Sequence, residues 1–229
     1  MIELKDIKLI HSRRRGLLIK AIGNGMLEVR APLGTPAEEV LSKLNEFEAK
    51  IRKLQENYER KHQKHSYEDG STVLLKGEPI TISYVDNTPY AWRYADKHLI
   101  VKSKYKAYIH PLLKDFYTEQ AKSLIHRALE LGLEHGFPKV RFSLRWNKSR
   151  WGSYSSRRAI SLNCALIMAP QDVIDYVIIH EYCHAKHPNH SAAFWSCVEN
   201  LMPDFRIQYS WLKEHGHLLR IAEQSGTED

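Results

Sequence analysis

The amino-acid sequence predicts an α+β fold with a β-rich N-terminal region, one long helix and a mostly helical C-terminal half. Three observations carry this prediction: short apolar runs separated by turn residues, an apolar stripe at helical spacing, and an alternating segment directly before a strongly apolar one. The chain has 229 residues, of which 43% are hydrophobic and 27% are charged. These proportions are typical of a globular protein, and the length suffices for one sizeable core or two smaller ones.

The first 31 residues are expected to form strands and hairpins, because glycines separate apolar runs at 7–9, 17–19 and 27–29. A long helix is then predicted over residues 36–61, since a threonine, a proline and a glutamate form a capping-box pattern at its start. Apolar side chains follow at steps of three and four residues, at Val40, Leu44, Phe47, Ile51, Leu54 and Tyr58. Such a stripe usually packs on its own domain, and the sequence leaves the oligomeric state open.

The middle of the chain is expected to add more strands and a second helix. A polar loop is predicted at 62–69, and a helix over 106–135 that ends at Gly136. The strands between them are expected at 73–75, 80–84 and 99–101.

We therefore expect two domains, an N-terminal β-rich region with the long helix at 1–105 and a second domain at 106–229. In the second domain, apolar and polar side chains alternate over 140–146 and again over 160–164, which predicts a hairpin of two strands. An apolar helix follows from Pro170. The C-terminal part is expected to hold a short helix to Leu201, a last helix closing at Gly216 and a frayed tail at 222–229.

Composition indicates where the protein is located and which partners it can bind. The first residues contain no apolar signal core, and no apolar run approaches the length of a membrane span, so no membrane association is expected. Cys164, Cys183 and Cys197 are widely spaced and odd in number, which favours reduced thiols and a cytoplasmic protein. The net charge of +7 permits acidic partners, including nucleic acid, but no nucleic-acid-binding motif accompanies it.

The segment His180-Glu181-Tyr182-Cys183-His184 is the strongest functional signal of the chain. On a helix, His180 and His184 lie one turn apart on the same face, so both imidazoles can bind one metal ion. Glu181 is placed to act as a base on a metal-activated water without being a ligand. The alternative is two core histidines and an exposed glutamate, but these polar groups end an apolar helix and need partners there.

A third ligand is expected from the turn that follows. Pro188 disfavours a helical conformation at His187, so the helix is predicted to end there and the chain to bend back at Asn189. This bend favours His190 over His187 as the third metal ligand. The spacing of ten residues between His180 and His190 matches that of metzincin ligands, although the metzincin glycine is replaced by His187.

Several sequence blocks around this motif resemble the YgjP-like metallopeptidase family and, more distantly, the SprT-like and WLM zinc proteases. The blocks are Arg150-Trp151-Gly152-Ser153, Ile160-Ser161-Leu162-Asn163, Asp175-Tyr176-Val177, Asn189-His190-Ser191 and Phe194-Trp195. The resemblance implies a zincin-like α+β metallopeptidase domain in which His180, His184 and His190 bind the metal and Glu181 is the catalytic base. It also implies that the strand beside the metal helix offers its edge to an extended peptide.

The leading functional prediction is a zinc metallopeptidase that acts on peptides or proteins, with Ni²⁺ or Co²⁺ as alternative metals. Arg150, His187 and Tyr209 are candidates for contacts with the substrate or the developing oxyanion. Two alternatives stay open. One is a pyrophosphohydrolase acting on a nucleoside triphosphate such as UTP at the same metal site, as has been described for a member of the family; the other is a non-catalytic binding protein stabilised by metal.

Overall fold

The computed structural model describes residues 2–61 and 67–221, which belong to two compact units, 1–65 and 66–229. The unit boundary therefore lies forty residues before the expected one at 105/106. The reason is packing: Ile80, Ile82 and Leu99 of the middle strands are buried in one core with helix residues such as Leu113. Most of the predicted loop at 62–69 and the whole predicted tail at 222–229 lie outside the described residues.

The first unit packs two helices with one small sheet. It contains β1 (Ile7–Ser12), β2 (Leu18–Gly23), β3 (Met26–Pro32), α1 (Ala37–Glu46) and α2 (Glu48–Lys61). The central strand β3 runs parallel to β1 and antiparallel to β2. The core of the first unit consists of side chains from the sheet and from both helices, as the apolar runs predicted.

The long helix predicted over 36–61 is two helices that are separated at Phe47. The first begins one residue after Pro36, which caps it without a side-chain hydrogen bond, so the predicted capping box is not formed. At Phe47 the backbone leaves the helical region, with φ −106° and ψ 23°. Val40, Leu44 and Ile51 of the predicted stripe are nevertheless buried. Phe47 and Leu54 of the same stripe are exposed, so the stripe indicated only part of the side chains that face the core. An apolar pattern can continue across a break in the backbone, and the break at Phe47 changes which side chains it buries.

The second unit begins with a four-stranded sheet and a long helix. Its elements are β4 (Thr72–Leu75), β5 (Glu78–Val85), β6 (Trp92–Ala95), β7 (His98–Lys102) and α3 (Ile109–Glu134). The strand order is β4-β5-β7-β6, with β5 and β7 parallel. The helix α3 then crosses the core of the unit, burying large apolar side chains such as Phe116 and Leu124.

The remaining elements of the second unit are β8 (Arg141–Arg145), β9 (Gly152–Ser155), β10 (Ala159–Asn163), α4 (Gln171–Cys183), α5 (Ala192–Leu201) and α6 (Phe205–His215). The predicted hairpin of β8 and β10 is wrong, because these strands are parallel neighbours. The short strand β9 intervenes, pairs antiparallel with β10 and forms the edge of the sheet. Alternation shows which side chains share a face but leaves strand direction open.

The helix α4 is buried on nearly all sides and is tied to α3 at two points. Asp175 accepts two hydrogen bonds from the guanidinium of Arg127, at 2.9 and 2.6 Å. The next residue of α3 is Ala128, whose backbone carbonyl accepts a hydrogen bond from the hydroxyl of Tyr182 at 2.9 Å. The sequence motif therefore stands on a helix that is fixed by the core. In the part of the chain described, no helix combines the length and apolar character that crossing a membrane requires.

Candidate metal centre

The end of α4 presents the first two imidazoles. His180 lies in the last turn of the helix, and His184 is its C-cap residue, with φ −64° and ψ −17°. Because the backbone is still helical at the cap, the two side chains lie one turn apart, with ring centroids separated by 5.0 Å. The predicted i, i+4 arrangement is therefore present.

The third imidazole comes from the loop before α5. Nε2 of His190 lies 3.1 Å from Nε2 of His180, and its ring centroid is 4.8 Å from that of His184. One potential ligand atom from each of the three histidines lies within 4.8 Å of the others. Ser191 fixes the position of this loop, since its side chain accepts a hydrogen bond from the backbone N–H of Phe194 and caps α5.

His187 contributes its backbone and not its ring. Its carbonyl accepts a hydrogen bond from Nδ1 of His184 at 3.0 Å, which leaves Nε2 of His184 free to face the cluster. Among the described residues, His180 has a buried Nδ1 without a hydrogen-bond partner. Aromatic rings hold it in place instead, with the buried ring of Phe194 centred 4.8 Å from the imidazole.

Carboxylates do not orient these imidazoles in the part of the chain that the structure describes. A carboxylate often accepts a hydrogen bond from the second ring nitrogen of a metal-binding histidine. Four carboxylates near the site in the sequence have the chemistry for this role, namely Asp172, Asp175, Glu199 and Asp204. Asp175 is instead bonded to Arg127 and Gln171, and Glu199 lies 3.5 Å from Arg206.

The three histidines fit a divalent metal ion of the zinc type. Burial lowers the pKa of His180 to about 4, and burial also lowers the pKa of His184. Both imidazoles are therefore neutral at pH 7, which is the form that donates a lone pair to a metal. Two nitrogen ligands of a tetrahedral zinc ion lie roughly 3.3 Å apart. The Nε2 atoms of His180 and His190, at 3.1 Å, are close to that separation. Within residues 2–61 and 67–221, no fourth histidine, cysteine or carboxylate joins the group.

Glu181 lies buried beside this cluster, with 6% of its surface exposed. Burial raises the pKa of its carboxyl group to about 7, against the opposing effects of a hydrogen bond from the backbone N–H of Tyr154 and of the Arg150 charge. A carboxyl group with a pKa near neutrality can both accept and return a proton at physiological pH.

Gly152 leaves the space that Glu181 occupies. A methyl group at this position would lie 2.6 Å from Cγ of Glu181, closer than carbon atoms can approach. The sequence indicated only that Gly152 shapes the turn beside the site, because the contact joins β9 to α4 across the fold.

A cavity of about 980 Å³ opens over the three histidines and Glu181. Of the sequence-predicted contact residues, Arg150 and Tyr209 line this cavity, whereas His187 does not. Tyr176, Arg158 and Lys213 also line it and were not predicted. Tyr176 could have been found, since it precedes His180 by one helical turn. No local signal marks the other two, because they come from a turn and from α6.

One wall of the cavity is the free edge of β9. The carbonyl of Trp151 accepts a hydrogen bond from the backbone N–H of Asn163, and the carbonyl of Ser155 accepts one from the backbone N–H of Arg158. Both carbonyl groups therefore point toward β10. Backbone groups alternate along a strand, so those of Gly152 and Tyr154 point away from the sheet. The backbone N–H of Tyr154 accordingly reaches Glu181, which shows that this edge faces the site.

An α+β unit with a buried carboxyl group beside three converging imidazoles defines the class of metal-dependent hydrolases. The family model of the YgjP-like metallopeptidase domain matches residues 15–215, so the chain belongs to this family. The protein is therefore a hydrolase of metallopeptidase type, and the expected α+β metallopeptidase fold is confirmed.

Two solved structures are similar to part of the chain, and both are crystal structures of metallopeptidase zymogens. Abylysin of Pyrococcus abyssi has 25% sequence identity and a TM-score of 0.35, with 44% of this chain and 96% of that chain covered. Jannalysin of Methanocaldococcus jannaschii has 17% identity and a TM-score of 0.34, with 42% and 88% covered. The search of the curated proteins found no match. None of the comparisons supports the nucleotide-hydrolysing alternative.

Proposed function

We propose that this protein is a zinc-dependent peptidase that cleaves extended peptide segments at the site on α4. The observation that carries the proposal is the convergence of three imidazoles, two of them with Nε2 atoms 3.1 Å apart, beside the buried Glu181. Membership of a metallopeptidase family supports the same conclusion. His180, His184 and His190 would hold the metal, and Ni²⁺ or Co²⁺ could bind the same nitrogen atoms.

Bound zinc would supply Lewis acidity toward the scissile carbonyl and the attacking water. The remaining steps fall to side chains of this chain. Glu181 accepts a proton from the water through its carboxylate and then returns the proton to the leaving amine. Its buried position and its pKa of about 7 suit both transfers at neutral pH.

The edge of β9 is the surface that would hold the peptide. The outward backbone groups of Gly152 and the carbonyl of Tyr154 are available for an added strand, which would lie along the cavity wall. Arg150 and Tyr209 line the same cavity and are the side chains we assign to the substrate or the developing oxyanion.

The thiols support a reducing location. The chain has three cysteines, Cys164, Cys183 and Cys197, which are widely spaced and odd in number and so do not form a disulfide framework. Such a cysteine pattern is typical of proteins whose thiols stay reduced, so we propose that the protein is cytoplasmic.

The test is a peptide-library assay of the purified full-length protein with its metal content measured. We expect one zinc per chain and cleavage that Glu181→Gln lowers by at least about 1000-fold without loss of zinc. Glu199→Gln is the matched control, because this exposed carboxylate lies on α5 and does not line the cavity. Undiminished cleavage by Glu181→Gln, or no cleavage of any peptide by the zinc-loaded protein, would contradict the proposal.

A further inference from the structure

The cavity around the proposed site carries an unbalanced charge. Its lining includes three basic side chains, Arg150, Arg158 and Lys213, and a single carboxyl group, that of Glu181. Over the whole chain, lysine and arginine number 34 against 27 acidic residues. The ratio of basic to acidic side chains is therefore higher in the cavity lining than in the whole chain. The one acidic side chain of the lining, Glu181, is already assigned to proton transfer.

These three cations are free to interact with a ligand. Across residues 2–61 and 67–221, none of them lies within ion-pair distance of a carboxylate. Arg150 does act electrostatically on Glu181, whose pKa it helps to lower. Arg127 shows the contrast, since Asp175 and Glu130 neutralise that guanidinium outside the cavity.

The positions of the two arginines relate directly to the proposed peptide path. Arg150 precedes β9, and Arg158 ends the turn that follows it, at φ +54°. A strand of four residues spans roughly 13 Å, so a peptide paired with β9 would have a cation near each end. Lys213 adds a third positive charge from α6, which packs on α4.

We propose that the preferred substrates are acidic peptide segments, with Asp or Glu on both sides of the scissile bond. This inference rests on the proposed peptidase function and assigns its specificity to Arg150, Arg158 and Lys213. A cleft with low-dielectric walls and one sign of charge concentrates ligands of the opposite sign. Peptides rich in Lys or Arg meet like charges along the whole path and are disfavoured.

The experiment compares two fluorogenic peptides with the same apolar centre, one flanked by Asp and Glu and the other by Lys and Arg. With the zinc-loaded full chain, we expect kcat/KM for the acidic peptide to be at least about tenfold higher. The ratio should shrink when NaCl is raised from about 0.05 M to about 0.5 M, because salt screens exposed charges.

Two variants locate the preference. Arg158→Gly removes one cation and places glycine where φ is positive, so the turn retains its conformation. Lys213→Glu reverses the charge on α6. Each should lower kcat/KM for the acidic peptide by about threefold or more, and together they should abolish or reverse the preference. Lys139→Glu, an exposed position outside the cavity lining, makes the same charge change and should leave the ratio unaltered.

The outcomes separate the two proposals. Equal cleavage of both peptides, a preference for the basic one, or an effect of Lys139→Glu equal to that of Lys213→Glu would overturn the inference and leave the peptidase function standing. Cleavage of neither peptide, nor of any library member, would overturn the peptidase function and the inference with it.

Discussion

Gly152 and Glu181 are packed so closely that no larger residue fits at position 152 without displacing the carboxyl group. A β-carbon there would lie 2.6 Å from Cγ, 2.7 Å from Oε1 and 2.9 Å from Cδ of Glu181. The edge strand therefore limits the position of the proposed base by this close approach, and the backbone N–H of Tyr154 opposes the rise in the pKa of its carboxyl group. A glutamate that cannot swing toward β9 stays in the cavity that the three imidazoles also line.

The first prediction is that Gly152→Ala impairs catalysis more than folding. The added methyl group must move Glu181, and a displacement of about 1 Å from the productive position can cost roughly 100-fold in rate. We expect kcat to fall by about that factor while zinc content is kept. Gly16→Ala is the control, since a β-carbon there meets nothing within 4 Å. Unchanged kcat in Gly152→Ala would show that Glu181 does not depend on this contact.

The second prediction concerns the contact between α3 and α4 at Gly132. A β-carbon at Gly132 would lie 3.0 Å from Cζ of Tyr182 and would clash with its hydroxyl group. Gly132→Ala should therefore lower the free energy of unfolding by about 1–3 kcal/mol, measured by urea denaturation. Combined with Tyr182→Phe, the loss should be smaller than the sum of the two single losses, because the clashing oxygen is gone. Additive losses would contradict the predicted contact.

The third prediction concerns the ion pair that ties α3 to α4. The side chain of Asp175 is 12% exposed and that of Arg127 is 33% exposed, so solvent screens the pair only in part. Asp175→Asn should lower the free energy of unfolding by about 1–3 kcal/mol, since it weakens a bidentate interaction. Glu199→Gln, which weakens the exposed contact with Arg206, should cost less than about 0.5 kcal/mol. Equal losses in the two variants would be inconsistent with this difference in burial.

The fourth prediction is that the buried Glu181 makes the free energy of unfolding of the metal-free protein depend on pH. Burial raises its pKa from the ordinary value of 4.5, which applies in the unfolded chain, to about 7 in the folded state, so the folded state binds more protons between these two pH values. Stability is therefore lost as pH rises from about 4.5 to about 7 and stays low above that range.

Glu181→Gln removes this titration, and the variant should gain about 1–3 kcal/mol over the wild type between pH 5 and pH 8 in the presence of a chelator. The lowered pKa of His180 is common to both proteins and cancels in the comparison. A difference in the free energy of unfolding that does not change with pH would contradict the raised pKa of Glu181.

The fifth prediction separates the two candidates for the third metal ligand. His190→Ala should lower zinc affinity by more than about 100-fold, because losing a metal ligand weakens binding more than losing a residue that hydrogen-bonds to a ligand. His187→Ala should bind zinc nearly as well as the wild type, since its contact with His184 uses the backbone carbonyl. Competition with a chromogenic zinc chelator measures both affinities. Tight zinc binding by His190→Ala would exclude His190 as a ligand.

The sequence determined the local part of the site. His180 and Glu181 lie in the last turn of α4, and His184 is its C-cap, so the three-histidine cluster follows from helical spacing and one turn. The helix ends at Cys183, a few residues earlier than the end predicted at His187, and the turn before Pro188 still brings His190 to the cluster. The apolar patterns likewise indicated many of the buried side chains, such as Val40, Leu44 and Ile51, but not the exposure of Phe47 and Leu54.

Only the tertiary structure decided what surrounds the cluster. Strand direction in the sheet, the close approach of Gly152 to Glu181 and the arrival of Arg158 and Lys213 in one cavity depend on pairings between distant segments. No local pattern encodes such pairings, because a period of two or 3.6 residues specifies a face and not the neighbour that covers it.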